Sequence, residues 1–168
     1  MTTSALCPPV AEVKYITSEP IDLSALLTSS HHKEAGAVVL FSGDVRESNL
    51  GKEVSYLEYE AQEIIASKQI EHILTEARLK WNLRIAIAQH RIGKVGISEP
   101  AVVVITATPH RREAYDANRH IIDRIKHEVP IWKCEYFADG TKQWGGNCNC
   151  HEITGNPAMH IYESANQK

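Results

Sequence analysis

Two lysines seven positions apart flank a proline in the segment IKHEVPIWK, residues 125–133. Pro130 lacks a backbone donor and clashes with a preceding helical turn, so the helix that carries Lys126 is predicted to end near Val129. The helix dipole favours a lysine at this end, which would explain Lys126 without any function. Lys133 follows the break on a predicted strand, where partial burial or a second ammonium would lower its pKa toward the range used for proton transfer. Two lysines from different elements could then converge on one substrate.

A basic segment, HRRE at residues 110–113, opens the same predicted helix. A helix N-terminus carries unpaired amides and a partial positive charge, so His110, Arg111 and Arg112 are unfavourable there unless an anion binds. A phosphate or carboxylate would contact both the amides and the guanidinium groups. The alternative is that the arginines point into water or pair with carboxylates such as Glu113.

Arg46 ends the predicted strand FSGDVR and faces a turn-rich segment, ESNLGKE. Functional side chains often lie where a strand passes into a loop, which makes Arg46 a candidate ligand contact. The alternative is a solvated arginine beside Asp44 and Glu47. Phe41 on the same strand is more typical of a core position than of a ligand contact.

The length of the helix constrains how these groups can cooperate. His110 and Lys126 are 16 residues apart, which is about 24 Å along a helix. A small substrate does not bridge that distance within one subunit. Either there are two sites, or a two-fold dimer brings the start of one helix near the end of its partner. We expect the second arrangement, a pocket shared between two subunits.

The other histidines and cysteines give weak signals. The tail contains CNCH (148–151) and His160, but one tight cluster lacks the second pair that makes structural zinc spacing convincing. We therefore expect no metal and a loose tail. His31, His32 and His90 are expected to be ordinary surface or core residues.

The overall composition bounds the class of protein. The chain has 168 residues, 43% of them hydrophobic, and a formal net charge of −3, as expected of one globular domain that binds neither nucleic acid nor a membrane surface. No long apolar run and no signal peptide is present, so a cytoplasmic protein with four reduced cysteines is expected.

The elements that must position the candidate residues follow from hydrophobic periodicity. Apolar residues at helical spacing predict one long helix over 61–81 and a second that begins at Thr108 as N-cap. Alternating or β-branched runs predict strands, the most apolar of which, 101–108, is expected to be central. The order is close to βαββαββαβ, which indicates an α+β fold with two long helices on a mixed or antiparallel sheet. The strands are predicted at 13–17, 36–46, 54–61, 84–93, 101–108 and 131–138, and a short helix follows Pro20.

Several of these segments, in this order, resemble the large, catalytic subunit of molybdopterin synthase. The resemblance rests on FSGDVR, LEYEA, EAR with a following tryptophan, HRIG, PHRREAYDA and PIWKCE, and it covers roughly residues 12–145. It implies an α/β hammerhead-type domain over 12–145, between a lead-in over 1–11 and a tail over 146–168. It also implies a homodimer of large subunits inside a heterotetramer.

The resemblance further implies an activity, a partner and a set of site residues. The family transfers sulfur from the thiocarboxylated C-terminus of a ubiquitin-like small subunit to cyclic pyranopterin monophosphate, which forms the dithiolene of molybdopterin in molybdenum cofactor biosynthesis. No cofactor or metal is implied. Carried over by position, Lys126 and Lys133 are the catalytic residues. The substrate-binding residues implied are Phe41, Asp44, Val45, Arg46, His110, Arg111, Cys134 and Glu135.

Two other functions stay open on the residues alone. The chain could be a non-catalytic scaffold that binds a ubiquitin-like partner or a phosphorylated metabolite. It could also be an unrelated lysine enzyme that forms a Schiff base with a phosphosugar. A scaffold needs no paired lysines, so the set Arg46, His110, Arg111, Lys126 and Lys133 favours a catalyst.

Overall fold

The structure, a computed structural model, describes residues 13–146 of the chain. The predicted lead-in, the CNCH segment and His160 lie outside this range, and the division of the chain at 12 and 145 stays a prediction. Three helices and nine strands are found among the described residues. In chain order they are β1 (Ile16–Thr17), α1 (Leu23–Thr28), β2 (Ala37–Asp44), β3 (Ser48–Asn49), β4 (Lys52–Ala61), α2 (Glu63–Trp81), β5 (Ile85–Arg91), β6 (Gly93–Gly96), β7 (Pro100–Thr108), α3 (Arg111–Glu128), β8 (Ile131–Phe137) and β9 (Lys142–Gly146).

The first sheet has four strands in the order β1-β5-β7-β2. Only β1 and β5 pair in parallel, so the sheet is mixed, and β7 is central as its apolar sequence predicts. One face packs against the long helices through Val102 and Val104, and the other packs against α1 and its flanks through Val103 and Ile105. Because successive side chains of a strand point to opposite faces, both faces of β7 must be apolar when both are covered.

The second sheet is antiparallel and carries the predicted lysine strand. Strand β4 pairs with β8 on one edge and with β3 and β6 on the other, while β9 pairs with the far edge of β8. The prediction that the segments of β3, β6 and β9 are loops or tail is wrong. These strands have two, four and five residues, and β6 and β9 contain glycines, so their pairing depends on the neighbouring strand rather than on their own pattern.

The two long helices are close to their predicted positions. Ile70, Ile73 and Leu74 of α2 are buried against the sheet, as their spacing predicts. The start of α3 differs: His110, not Thr108, is the N-cap, and the Thr108 hydroxyl instead donates to the His110 carbonyl at 2.6 Å. The predicted α+β class, with two long helices on a mixed and an antiparallel sheet, is confirmed. No helix within residues 13–146 has the length and apolar character needed to cross a membrane.

A buried amide joins α3 to the first sheet, and it gives a stability prediction. Asn118 is 4% exposed, and its Nδ2 donates to the carbonyls of Val39 at 3.1 Å and Val104 at 3.0 Å. Asn118→Leu removes both donors and leaves buried acceptors without them, so we expect the free energy of unfolding to fall by about 2 kcal/mol. Urea denaturation measures this change, with Arg119→Leu as the control because Arg119 is exposed on the next helical position. Equal midpoints for wild type and Asn118→Leu would contradict the prediction.

Candidate functional site

Lys126 lies in the last turn of α3, where the chain is forced out of the helix. Val129 is the C-cap with an extended backbone (φ −81°, ψ 130°), because the residue before Pro130 disfavours the helical conformation. This confirms the predicted end of the helix. Burial and the nearby charge of Lys133 together lower the pKa of Lys126 to about 8. A lysine with that pKa exchanges a proton near neutral pH, which an ordinary surface lysine does not.

Lys133 and Glu135 lie on the same face of β8 and form an ion pair. Lys133 Nζ is 2.8 Å from Glu135 Oε1, and the two side chains are only 15% and 9% exposed. Burial raises the pKa of Glu135, but hydrogen bonds from Lys133 and Asn49 outweigh it and hold this pKa below its usual value. Glu135 is therefore an ionised carboxylate that offsets part of the charge of the lysine pair.

Two further residues lie beside this group, and neither was among the candidates predicted from the sequence. Asn49 Nδ2 donates to Glu135 Oε2 at 2.7 Å from the β3–β4 hairpin. Tyr59 is paired with Lys133 in the sheet register, and burial together with the charge of Glu135 raises the pKa of Tyr59 to about 12. Alternation along β4 places Tyr59 and Leu57 on the same face of the strand, but nothing in the sequence pairs that face with Lys133.

Cys134 lies on the other face of β8. Its neighbours in the register are Glu58 and Trp144, whereas Lys133 and Glu135 lie opposite Tyr59 and Leu57. The thiol is fully buried, and this burial raises the pKa of Cys134. The structure therefore does not bring Cys134 together with the lysine pair, and its contact with substrate stays a prediction.

Arg46 is exposed just after β2, and its charge contributes to the lowered pKa of Glu135. Its position is fixed by buried Val45, whose amide donates to the Glu99 carbonyl at 3.1 Å and whose carbonyl accepts from Ser98 at 2.8 Å. The structure thus links Arg46 electrostatically to the Lys133–Glu135 pair and gives Val45 an anchoring role.

The other two predicted residues of β2 lie on opposite faces of the strand. Asp44 accepts from the Ser42 hydroxyl at 2.5 Å, and both are at the end of the strand. Phe41 pairs with Val104 and is 36% exposed, which is more than expected of a core phenylalanine. A substrate contact by either residue stays a prediction.

His110 and Arg111 are exposed at the opposite end of α3 from Lys126. The 18 residues of that helix correspond to about 27 Å, so one chain does not bring the two groups together. The loop before His110 is held close to the start of β2, where a Cβ on Gly36 would lie 2.5 Å from the Pro109 carbonyl oxygen. The arginines are therefore presented from a fixed backbone.

The site within one chain is thus a partly buried lysine pair with a buried carboxylate, bordered by an arginine. Such a group can bind an anionic substrate, neutralise developing negative charge and donate a proton. In residues 13–146 no cluster of three or more histidine, cysteine or acidic side chains is placed to hold a metal ion.

Comparison with known proteins identifies the family. A sequence model described as MoaE protein matches residues 16–128. The molybdopterin synthase catalytic subunit of Bacillus subtilis is 44% identical over 132 residues, which cover 79% of this chain and 83% of that protein.

Solved structures have the same fold. The crystal structure of molybdopterin synthase from Staphylococcus aureus has a TM-score of 0.74 at 42% identity and covers 79% of this chain and 96% of that one. A complex of subunits 1 and 2 of molybdopterin-converting factor from Helicobacter pylori has a TM-score of 0.65 at 21% identity, over 77% and 88% of the two chains, and this likeness concerns the fold alone. The chain therefore belongs to the MoaE protein family, in which its similar relatives are molybdopterin synthase catalytic subunits.

Proposed function

We propose that this chain is the catalytic subunit of a molybdopterin synthase, a sulfurtransferase of molybdenum cofactor biosynthesis. It transfers sulfur from the thiocarboxylated C-terminus of a ubiquitin-like small subunit to cyclic pyranopterin monophosphate, in the cytoplasm. The observation that carries the proposal is the lysine pair: Lys133 Nζ lies 2.8 Å from Glu135 Oε1 with only 15% of its side chain exposed, and burial together with the charge of Lys133 lowers the pKa of Lys126 to about 8. Membership of the family supports the choice of substrate and partner.

The lysine pair fits the chemistry of one sulfur transfer. The thiocarboxylate sulfur forms a bond to a substrate carbon, the carbon–oxygen bond there breaks, and the leaving oxygen takes a proton from Lys126. Lys133 offsets the negative charge of the incoming thiocarboxylate. Water then cleaves the acyl–sulfur bond, which leaves sulfur on the substrate and a carboxylate on the small subunit.

We further propose that the phosphate end of the substrate is bound across a dimer. Lys126 and Lys133 of one subunit would meet His110 and Arg111 of the other, with Arg46 beside the lysines. A two-fold interface is self-complementary, so one dimer forms two such pockets. A small subunit bound at each pocket gives the heterotetramer. Binding of the phosphate by Arg111 and the amides of the α3 N-terminus follows from their charge and exposure.

A reconstituted reaction tests the proposal. The purified chain is mixed with cyclic pyranopterin monophosphate and a thiocarboxylated ubiquitin-like small subunit, and molybdopterin is detected as its oxidised, fluorescent derivative. We expect product only when the chain is present, and none when the small subunit ends in a carboxylate. Binding of the small subunit without product would instead support the non-catalytic scaffold.

A further inference from the structure

The buried carboxylate of Glu135 is held by two groups, one on each oxygen. Oε1 is 2.8 Å from Lys133 Nζ, and Oε2 accepts from Asn49 Nδ2 at 2.7 Å. Asn49 is 86 residues away in sequence, and Glu135 is only 7% exposed. Because each oxygen has its own donor, the carboxylate is fixed in rotation as well as in position. Asn49 therefore supplies one of the two contacts that hold the Glu135 carboxylate.

The hairpin that carries Asn49 holds this residue in a defined register. Asn49 pairs with Lys52, and the Val54 amide donates to the Glu47 carbonyl at 2.8 Å just beyond the strand pair. The two turn residues, Leu50 and Gly51, both have positive φ, at 50° and 77°.

Leu50, the first of these turn residues, has a backbone conformation that is unfavourable for leucine. Leucine rarely adopts the left-handed conformation, and Leu50 is also 88% exposed, so nothing in its own environment favours it there. A strained backbone of this kind persists where the surrounding structure imposes it, and the hairpin is tied to the strand of the site both by the pairing of β4 with β8 and by the Asn49–Glu135 hydrogen bond.

We propose that Asn49 is a positioning residue for the reaction, which fixes Glu135 so that Glu135 in turn fixes the ammonium group of Lys133 within the lysine pair. This inference rests on the proposed function, because it takes the two lysines as the reacting groups. The role differs from that of a simple structural link. A structural link would change only the stability of the hairpin, whereas a positioning residue changes the charge that Lys126 experiences.

The charges around the lysine pair determine whether the pKa of Lys126 rises or falls when Glu135 is released. Glu135 offsets the positive charge of Lys133, and the remaining field of Lys133 lowers the pKa of Lys126. If Glu135 turns away, Lys133 acts on Lys126 with less compensation, so the pKa of Lys126 falls further. The other ionisable groups that act on Glu135 or respond to it, Arg46 and Tyr59, are unchanged by a substitution at Asn49.

The experiment compares Asn49→Ala, Asn49→Asp and the control Ser48→Ala in the reconstituted reaction with the full chain. Ser48 is the exposed neighbour on the same strand. For Asn49→Ala we expect kcat to fall about tenfold with little change in KM, and the basic limb of the pH profile to move to lower pH. Asn49→Asp places a second carboxylate at the site, so the basic limb of the pH profile of this variant should move to higher pH. Ser48→Ala should behave as wild type.

A double substitution separates positioning from a structural effect. In a Glu135→Ala chain, Asn49→Ala should cause no further loss of kcat, because the group through which it acts is gone. The same tenfold loss in that background would overturn the inference, as would wild-type kcat for Asn49→Ala alone. Absence of product from the wild-type chain would overturn the proposed function and this inference together. Product from the wild-type chain with an unchanged kcat for Asn49→Ala would overturn this inference alone, so the two failures are distinguishable.

Discussion

Lys126→Met is expected to lower kcat by about 10²–10⁴-fold without making the protein easier to unfold. The loss follows from removal of the proton donor to the leaving oxygen. Methionine keeps most of the length of the side chain, so the packing at the end of α3 changes little. The measurements are single-turnover formation of molybdopterin and urea denaturation of the same preparation. Lys68→Met on α2 is the control, since Lys68 is exposed on the other long helix and should change neither quantity.

The expected stability follows from the lowered pKa of Lys126. A fall from 10.5 to about 8 means that the folded protein opposes the charged form by about 3 kcal/mol at neutral pH. Between pH 8 and 10.5 the unfolded chain keeps a proton that the folded chain has released, so wild-type stability should rise with pH in this window. Lys126→Met should lose this rise and be at least as stable as wild type at pH 7. A variant that is both inactive and less stable would contradict this assignment.

The pH dependence of the wild-type rate tests the same residue in a different way. A proton donor must be protonated, so kcat should fall as pH rises through about 8. Lys133→Ala should move this fall to higher pH, because the charge of Lys133 is one of the two causes that lower the pKa of Lys126. A rate that instead rises through pH 8 would assign Lys126 as a base.

The central part of the site could be predicted from the sequence because it depends on local rules. Pro130 alone separates the helix of Lys126 from the strand of Lys133, and the structure places both where that rule requires. Alternation on β8 also implies that Lys133 and Glu135 share a face and that Cys134 does not. The prediction that Cys134 lines the pocket came from the family resemblance and not from this alternation.

The remaining contacts depend on pairing between segments far apart in the chain. Asn49 reaches Glu135 across 86 residues, and its strand has two residues, which is too short for any periodic signal. β6 and β9 were missed for the same reason, since each exists through its pairing with a longer strand. The hydrogen bond between Asn49 and Glu135 therefore could not be predicted from the sequence.

A mixed dimer of Arg111→Ala and Lys126→Met chains is expected to regain about half of wild-type turnover. Each variant alone should be strongly impaired, since loss of Arg111 removes a charged contact to phosphate and should cost about ten- to a hundredfold. In a shared pocket, the mixed dimer has one pocket with both substitutions and one with neither. Two affinity tags, one on each chain, allow the mixed dimer to be purified before turnover is measured.

A second mixed dimer provides the control, because the structure already places Lys126 and Lys133 together within one chain. Lys126→Met paired with Lys133→Ala leaves each pocket with one damaged lysine, so this dimer should stay inactive. Recovery in the first dimer but not in the second requires that Arg111 and Lys126 act from different subunits. If the first dimer were as inactive as its parents, the pocket would not be shared. The 18 residues of α3, about 27 Å, would then separate two independent sites in each chain.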